Sequence, residues 1–400
     1  MIRIRFAAFC LTSALLAVSG CRPEPSDYPP EYREYAYVTN GGSDTVTVVD
    51  LLTFRAAHTI PVGKNPTGIA ANPAKNEVYV VNTGSDNVSV IDAETNRVVA
   101  TIGLHDRPFF IDVSADGRRA YVANSGSGSL SVLDLEKRSV VATIPVGATP
   151  GLARVSPDGK LVVVSLRGEA AAAILDAEKL AIRTRLPLCP NPEEIAILPD
   201  SSKAFIACTG SNQVAAVDLK TDNLLALLDV GKTPIHLALK PDGGQLFVSN
   251  FDSNTVSAIT TTTNEVGGSY LMGTNPVRGL VSRDNALLYV SNFGSDAVAL
   301  FDINAGRLVT TARVGSKPDA LALAHPRPNE LEGTSDKDRV DYLLVVNSQS
   351  GDLAIVKSHM VRDRRREADV RTLSLLTLVP VGSRPNQIAV KNFMLTKPPS

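Results

Sequence analysis

Residues 66–107, PTGIAANPAKNEVYVVNTGSDNVSVIDAETNRVVATIGLHDR, form one period of a repeat that organises the chain. The proline that opens this stretch recurs every 42 residues, and an eighth copy follows after a longer interval. The eight prolines are Pro66, Pro108, Pro150, Pro192, Pro234, Pro276, Pro318 and Pro385. A fixed period of this length predicts an array of equal structural units. The repeat therefore decides the fold.

Each period contains four short apolar segments separated by turns. In the quoted period these segments are residues 68–71, 79–82, 87–92 and 97–102. Alternation with a period of two and many β-branched residues predict β-strands, and Gly, Asp, Asn and Ser supply the tight turns between them. Several short strands in every unit indicate the blades of an all-β propeller rather than helical repeats.

A Tyr-Val-x-Asn tetrapeptide ends the second strand of several units. The copies are residues 37–40, 79–82, 121–124 and 289–292. They resemble the YVTN β-propeller repeat family, and the resemblance extends over about residues 35–393. It implies a β-propeller fold. Because this family is functionally mixed, the resemblance implies little about activity.

The number of blades follows from counting strand ends. Second strands are predicted to end at Asn40, Asn82, Asn124, Ser165, Cys208-Thr209, Asn250, Asn292 and Asn347. With eight prolines opening the first strands, the count predicts eight four-stranded blades; seven, the usual number in the resembled family, is the alternative. The chain begins on a second strand and ends on a first strand. We therefore expect the N- and C-terminal strands to share one blade and close the ring without an exposed edge.

The last interval, from Pro318 to Pro385, is longer than the others and carries two insertions. They lie in the first-to-second and third-to-fourth turns, which a propeller places on one face. One contains residues 326–340 and the other contains residues 362–367. Solvated loops are one interpretation, because loop closure cost grows slowly with length. The other is a docking surface for a partner or acidic lipid headgroups, built by Arg362, Arg364, Arg365 and Arg366.

The N-terminal segment has the features of a bacterial export signal. Two arginines precede an apolar stretch, residues 6–18, that is too short to span a bilayer. The following Val18-Ser19-Gly20-Cys21 resembles the bacterial lipobox. The resemblance implies removal of residues 1–20 and lipid attachment at Cys21; an ordinary secretory signal is the alternative.

The domain boundaries follow from the signal and the repeat. We predict a Pro-rich tether over residues 21–34, the propeller over 35–393 and a C-terminal tail over 394–400. The lipid at Cys21 would attach the protein to a membrane of the cell envelope. The resemblance to bacterial lipoproteins also implies that Arg22, in place of an aspartate, favours the outer membrane over the inner, with the protein facing the periplasm or exposed at the surface.

Composition excludes several classes of function. Lys and Arg number 40 against 41 for Asp and Glu, so the basic excess of a nucleic-acid-binding protein is absent. No Cys-x-x-Cys-His motif for covalent haem occurs. The absence of Trp argues against docking of a pyrroloquinoline quinone. The five histidines show no clustered spacing for zinc. We therefore predict no cofactor.

Residues that break the repeat near the top of the central channel are the candidate site. Two positions after successive prolines stand Glu194, His236 and Arg278, which come from three consecutive blades and should be neighbours at the channel mouth. Further candidates are Phe110, Asp112, Arg154, Arg167, His105 and Arg107. Such a cluster could bind an anion, hold a metal or perform acid–base chemistry. Alternatively, its charges only pair with one another.

Two cysteines remain in the mature domain, and an oxidising compartment allows a disulfide between them. Cys189 precedes the first strand of one blade and Cys208 ends the second strand of the same blade. Both positions lie near the top face.

The function predicted from these features is a lipid-anchored binding or scaffolding module for a protein or a small ligand at the top-face mouth. The alternative is a small-molecule enzyme at the same mouth, either lactonase-like or cyclase-like. Eight-bladed propellers also include haem d1 domains, in which a histidine binds iron, and His236 or His105 could imitate that ligand. Binding is preferred to catalysis.

Overall fold

The computed structural model describes residues 28–325, 340–363 and 368–396. The predicted signal peptide, the lipid site Cys21 and most of the tether lie outside the described residues. So do segment 326–339, the arginines Arg364, Arg365 and Arg366, and residues 397–400.

The described residues form eight four-stranded antiparallel sheets. The strands of the first four blades, apart from the one that closes the ring, are β1 (Tyr32–Asn40), β2 (Thr45–Asp50), β3 (Arg55–Pro61), β4 (Pro66–Ala71), β5 (Glu77–Asn82), β6 (Asn87–Asp92), β7 (Arg97–Gly103), β8 (Pro108–Val113), β9 (Arg119–Asn124), β10 (Ser129–Asp134), β11 (Ser139–Pro145), β12 (Pro150–Val155), β13 (Leu161–Leu166), β14 (Ala171–Asp176) and β15 (Ala181–Pro187). A 3-10 turn, Arg167–Glu169, separates β13 from β14.

The second half of the chain repeats the pattern. Its strands are β16 (Pro192–Ile197), β17 (Lys203–Cys208), β18 (Gln213–Asp218), β19 (Asn223–Asp229), β20 (Pro234–Leu239), β21 (Gln245–Asn250), β22 (Thr255–Thr260), β23 (Glu265–Leu271), β24 (Pro276–Val281), β25 (Leu287–Asn292), β26 (Ala297–Asp302), β27 (Arg307–Arg313), β28 (Pro318–Leu323), β29 (Asp341–Asn347), β30 (Asp352–Asp363), β31 (Ala368–Pro380) and β32 (Pro385–Met394). All eight prolines open first strands.

The ring closes through blade 1, in which the C-terminal β32 pairs with the N-terminal β1. The first strand of every blade contacts the first strands of both neighbouring blades, and β32 contacts β28 and β4. This continuous inner ring surrounds the central channel. The prediction of eight blades with a shared closing blade is confirmed, and the alternative of seven blades is wrong.

The hydrophobic core is divided among the blade interfaces. Each described core cluster combines residues of two adjacent blades; one packs Tyr37 and Val46 of blade 1 against Val78 and Ile91 of blade 2. Second strands are buried on both faces, and β5 is buried at every residue. This burial explains why these strands have continuous apolar runs where outer strands alternate.

The Tyr-Val-x-Asn motif ties strands and blades together. Tyr37 is fully buried and its hydroxyl donates to Asn96 Oδ1 of the next blade at 2.7 Å. The amide of Asn82 donates to Asn87 Oδ1 and Ser89 Oγ of the third strand at 2.7 and 2.9 Å. A buried polar group costs stability unless it is hydrogen-bonded, so these partners explain why polar residues end buried strands.

Three details of the sequence prediction need adjustment. Leu166, not Ser165, ends the second strand of blade 4, because Leu166 pairs with Pro150 and is buried like the asparagines elsewhere. Strand β1 begins at Tyr32, within the segment assigned to the tether, because pairing with β32 extends to Met394. The last insertion lengthens β30 and β31 into a long hairpin. On this hairpin Arg362 Nη1 lies 3.7 Å from Asp369 Oδ1.

Candidate ligand-binding channel

Five consecutive blades contribute one charged or polar side chain each from their first strands. These residues are Asp112 on β8, Arg154 on β12, Glu194 on β16, His236 on β20 and Arg278 on β24. At the position of Glu194, His236 and Arg278, blades 2 and 8 carry the small residues Gly68 and Ala320, and blade 1 carries Gln387. At the position of Asp112 and Arg154, these three blades carry alanine. The polar residues lie along the inner strands, within the channel rather than at the loops of its mouth. The channel is therefore polar on one arc of its wall.

Glu194 is the centre of this network. Its Oε1 accepts from Arg154 Nη2 at 2.7 Å, and its Oε2 accepts from Arg278 Nη1 at 3.2 Å. Arg154 also lies 3.5 Å from Asp112 Oδ1, whose other oxygen accepts from the backbone N–H of Val155. The structure thus brings Glu194 and Arg278 together as expected. It also shows that Arg278 reaches past His236 to a blade two positions away.

The surroundings shift the pKa of Glu194 strongly downwards. Burial alone would raise the pKa of this carboxyl, but the positive charges of Arg154, of His236 when that imidazole is protonated, and of Arg278 lower it from 4.5 to about 2. Burial would lower the pKa of Arg154, yet Glu194 and Asp112 raise it. Glu194 and Arg154 are therefore both charged at neutral pH.

His236 is held in its neutral form. Burial lowers its pKa from 6.5 to about 3, with a further lowering by Arg278 that Glu194 opposes. Its Nδ1 accepts a hydrogen bond from the backbone N–H of Gly279 at 3.2 Å. A neutral imidazole that accepts at Nδ1 carries its proton on Nε2. Among the described residues no partner for that Nε2 is found, so this N–H is available to a ligand.

Aromatic contacts border the ion network. The guanidinium carbon of Arg154 lies 4.4 Å from the centroid of the Phe110 ring, in cation–π geometry. Burial raises the pKa of Asp112, although Arg154 and the Val155 N–H oppose the shift. Phe110 and Asp112, both predicted from the sequence, therefore hold Arg154 in place from the preceding blade.

A cavity of about 300 Å³ lies beside the network. Its lining includes Phe110, Arg154, His236, Arg278, Ala320 and Gln387. A second cavity, of about 240 Å³, adjoins Arg154, Glu194 and His236.

Other predicted residues lie away from the network. His105 is exposed, and its Nε2 lies 3.0 Å from Thr143 Oγ1 on the outer strand of the next blade. Arg107 is exposed and has a φ of 54°. Every residue that precedes one of the eight prolines has a positive φ, so Arg107 occupies a regular backbone position of the repeat.

Arg167 builds a separate contact at the top of blade 4. It pairs with Glu193, and its guanidinium lies 5.2 Å from the Phe109 ring centroid. Gly151 leaves room for this side chain, because a Cβ there would lie 2.8 Å from Arg167 Nε. Glu193 was missed by the sequence reasoning. A survey of the residue directly after each proline would have found it, together with the half-buried Asp319, whose pKa is raised because burial outweighs the opposing charge of Arg278.

Cys189 and Cys208 are joined by a disulfide in blade 5, with Cα atoms 5.8 Å apart. Both residues are buried in the core shared with blade 4. The bond links the entry of β16 to the end of β17. It lies at the top of the blade that carries Glu194.

The described residues contain neither a cluster of metal ligands nor a membrane-spanning helix. No group of three or more His, Cys, Asp or Glu side chains there has an arrangement that could hold a metal ion. No helix in the same part of the chain has the length and apolar character needed to cross a membrane.

Fold and channel define an eight-bladed β-propeller with a charged arc inside its ring. A family model for the YNCE-like beta-propeller matches residues 32–327. The chain belongs to this family, which fits the YVTN-type resemblance of its repeats. No curated protein matches the chain at a significant level.

Solved structures with the same fold include three proteins of different description. The chain is similar to "Dihydro-heme d1 dehydrogenase NirN in complex with DHE" at 18% identity, covering 94% of this chain and 78% of that one with a TM-score of 0.65. Hydrazine synthase from Kuenenia stuttgartiensis is 21% identical, and the match covers 66% of this chain and 91% of that one with a TM-score of 0.56. A functionally unknown protein from Desulfotomaculum acetoxidans DSM 771 is 18% identical, and the match covers 79% of this chain and 98% of that one with a TM-score of 0.57. These identities show a shared fold alone.

Proposed function

We propose that this protein is a lipid-anchored binding module of the cell envelope that holds a small ligand in its central channel. The observation that carries the proposal is the polar arc of Asp112, Arg154, Glu194, His236 and Arg278 beside an open cavity. The repeat itself requires none of these side chains, since other blades form with Gly68 or Ala320 at such positions. Concave sites with a few convergent polar groups are the usual places for ligands.

The electrostatics favour binding over acid–base catalysis. A general acid or base works best when its pKa lies near the operating pH. The pKa of Glu194 is about 2 and that of His236 is about 3, so neither group exchanges protons readily near neutrality. These shifts weaken the lactonase-like and cyclase-like alternatives. A fixed donor and a pre-arranged ion network are suited to recognition.

The lining indicates the chemistry of the ligand. His236 offers an N–H donor, Gln387 an amide, and Phe110 an apolar ring. Because Arg154 and Arg278 are already paired with Glu194, the wall does not carry a large net positive charge. A small, polar organic molecule that accepts a hydrogen bond and packs on Phe110 fits this wall better than a highly charged anion.

The test begins with the purified full chain analysed by native mass spectrometry for a molecule that co-purifies. His236→Gln and Phe110→Ala should lose that molecule or bind it several-fold more weakly. Lys137→Gln, an exposed change between the outer strands of blade 3, is the matched control and should keep it. Equal retention by all three variants would remove the channel as the binding site.

The membrane attachment needs a separate experiment. Cys21→Ser should release the protein from the membrane fraction and remove the mass of the attached lipid. A wild-type chain without lipid mass would show that the segment is an ordinary secretory signal.

A tetrapyrrole is a second candidate ligand, suggested by the similarity to NirN over 94% of the chain. The donor pattern does not fit iron ligation, because His236 Nδ1 accepts from Gly279 and its Nε2 therefore carries a proton instead of a free lone pair. An intense visible absorption of the purified chain would favour this candidate over the first.

A further inference from the structure

A hydrogen bond recurs where one blade passes to the next. In five blades a side chain of the second-to-third turn accepts from the backbone N–H of the residue before the next proline. The pairs are Asp44 with Asn65, Asp86 with Arg107, Asn212 with Thr233, Asn254 with Asn275 and Asp296 with Lys317, at 2.8 or 2.9 Å. This position of the repeat therefore accommodates a carboxylate or amide oxygen.

Three blades lack the acceptor side chain, since Gly128, Ala170 and Gly351 stand at its position. After Gly351, the corresponding donor is the backbone N–H of Arg384, and no partner for it is found among the described residues. The neighbouring contact is still formed, because the backbone N–H of Ser383 donates to Ser43 Oγ at 3.1 Å. Only the acceptor oxygen for the Arg384 N–H is therefore missing from this turn.

The surroundings of Gly351 differ from those of Gly128. Gly351 and Arg384 line a top-face crevice of about 780 Å³ together with Lys317 and Phe293. Lys317 Nζ lies 4.7 Å from the centroid of the Phe293 ring. No Asp or Glu lines this crevice in the described part of the chain, and neither Lys317 nor Arg384 forms a described ion pair there. Near Gly128, by contrast, the Glu169 carboxylate accepts from the Ala148 N–H and would repel an anion.

We propose that this crevice binds a small carboxylate whose oxygen accepts from the Arg384 N–H, as Asp296 does in the preceding blade. Lys317 and Arg384 supply positive charge, and charge-assisted hydrogen bonds to carboxylates are stronger than neutral ones. This site lies at the seam of blades 7, 8, 1 and 2. It is separate from the polar arc of the channel and does not depend on the function proposed for that arc.

The structure also supplies the variant that tests the proposal. A Cβ on Gly351 would meet only Gly382 O, at an ordinary 3.5 Å, and the φ of 71° is near the 51° of Asp296. Gly351→Asp should therefore fold and place its own carboxylate against Arg384. Gly351→Asn should occupy the same donor without a charge. Ala170→Asp is the matched control, since Ala170 has the same place in blade 4.

The experiment is calorimetric titration of the full chain with acetate, succinate and inorganic phosphate. We expect saturable binding of the carboxylates that weakens with added salt. Gly351→Asp and Gly351→Asn should lower that affinity by about tenfold or more, the factor carried by one hydrogen bond to a charged group. Gly351→Asp should also raise the melting temperature, while Ala170→Asp should keep wild-type affinity.

Independent variants keep the test decisive if a change at Gly351 prevents folding. Lys317→Gln and Arg384→Gln should each weaken succinate binding several-fold. The proposal is overturned if the wild type binds neither carboxylate, if Gly351→Asp binds as tightly as wild type, or if phosphate is clearly preferred to both carboxylates.

Discussion

Replacing Glu194 by Gln should cost several kcal/mol of stability at neutral pH. The carboxyl has a pKa of about 2 in place of 4.5, and each unit corresponds to about 1.4 kcal/mol, so its ionised form stabilises the fold by about 3 kcal/mol. Breaking a buried ion pair by removing one partner typically costs about 3–5 kcal/mol. The two energies are of similar size. Both apply to this substitution, since Gln keeps the shape of the side chain but leaves Arg278 without its carboxylate partner.

The stability lost in Glu194→Gln should depend on pH in a defined direction. Because the folded pKa of Glu194 lies below the unfolded value, its stabilisation is fully present above pH 4.5 and disappears as the pH falls towards 2. The difference in unfolding free energy between wild type and Glu194→Gln should therefore be constant near neutrality and shrink in acid.

Urea unfolding followed by circular dichroism at a series of pH values measures this difference. Glu193→Gln is the matched control, because the adjacent carboxyl has a raised pKa and a more exposed pair with Arg167. We expect this control to change stability by only about 1 kcal/mol or less. A Glu194→Gln variant as stable as the control, or a difference that stays constant in acid, would refute the reasoning.

Three further predictions concern His236, the disulfide and the closure of the ring. Since the folded pKa of His236 is about 3 against 6.5 when unfolded, stability should be lost as the pH falls from 6.5 towards 3, and His236→Gln should flatten the unfolding free energy in that window. Replacing Cys189 and Cys208 by Ser should lower the unfolding free energy by about 3 kcal/mol, an effect that reductant reproduces only in the wild type. Deleting residues 385–400 removes β32 and exposes an edge of β1, so size-exclusion chromatography should detect association and thermal unfolding should lose its cooperativity.

The fold could be predicted because its signals are local and repeated. The spaced prolines open first strands, and the Tyr-Val-x-Asn copies end second strands, so counting both gave the blade number and the closing pair. Single departures from the repeat were harder to align. The second strand of blade 4 was assigned to end at Ser165, whereas the apolar Leu166 fills the buried position that asparagine occupies in most other blades.

The channel residues could be predicted only in part. Ring closure places equivalent positions of the first strands around one axis, which is why Glu194, His236 and Arg278 could be grouped in advance. The reach of a long side chain is not visible in the spacing, so the direct contact of Arg278 with Glu194 across an intervening blade was not foreseen. His105 and Arg107 looked irregular in the alignment, yet the loop directs His105 to Thr143 on an outer strand and Arg107 keeps the regular backbone conformation.

A propeller of nearly equal blades separates the requirements of folding from those of recognition. Strand pairing and the interblade cores need only a few residues of each period, so one side chain can be added or removed at a fixed position without changing the backbone. Glu194 adds a carboxylate where blade 2 has Gly68, and Gly351 lacks the acceptor that Asp296 provides. The physical consequences differ in sign. Removing Glu194 should destabilise the fold because two arginines depend on it, whereas filling Gly351 should stabilise the fold because a backbone donor gains its partner.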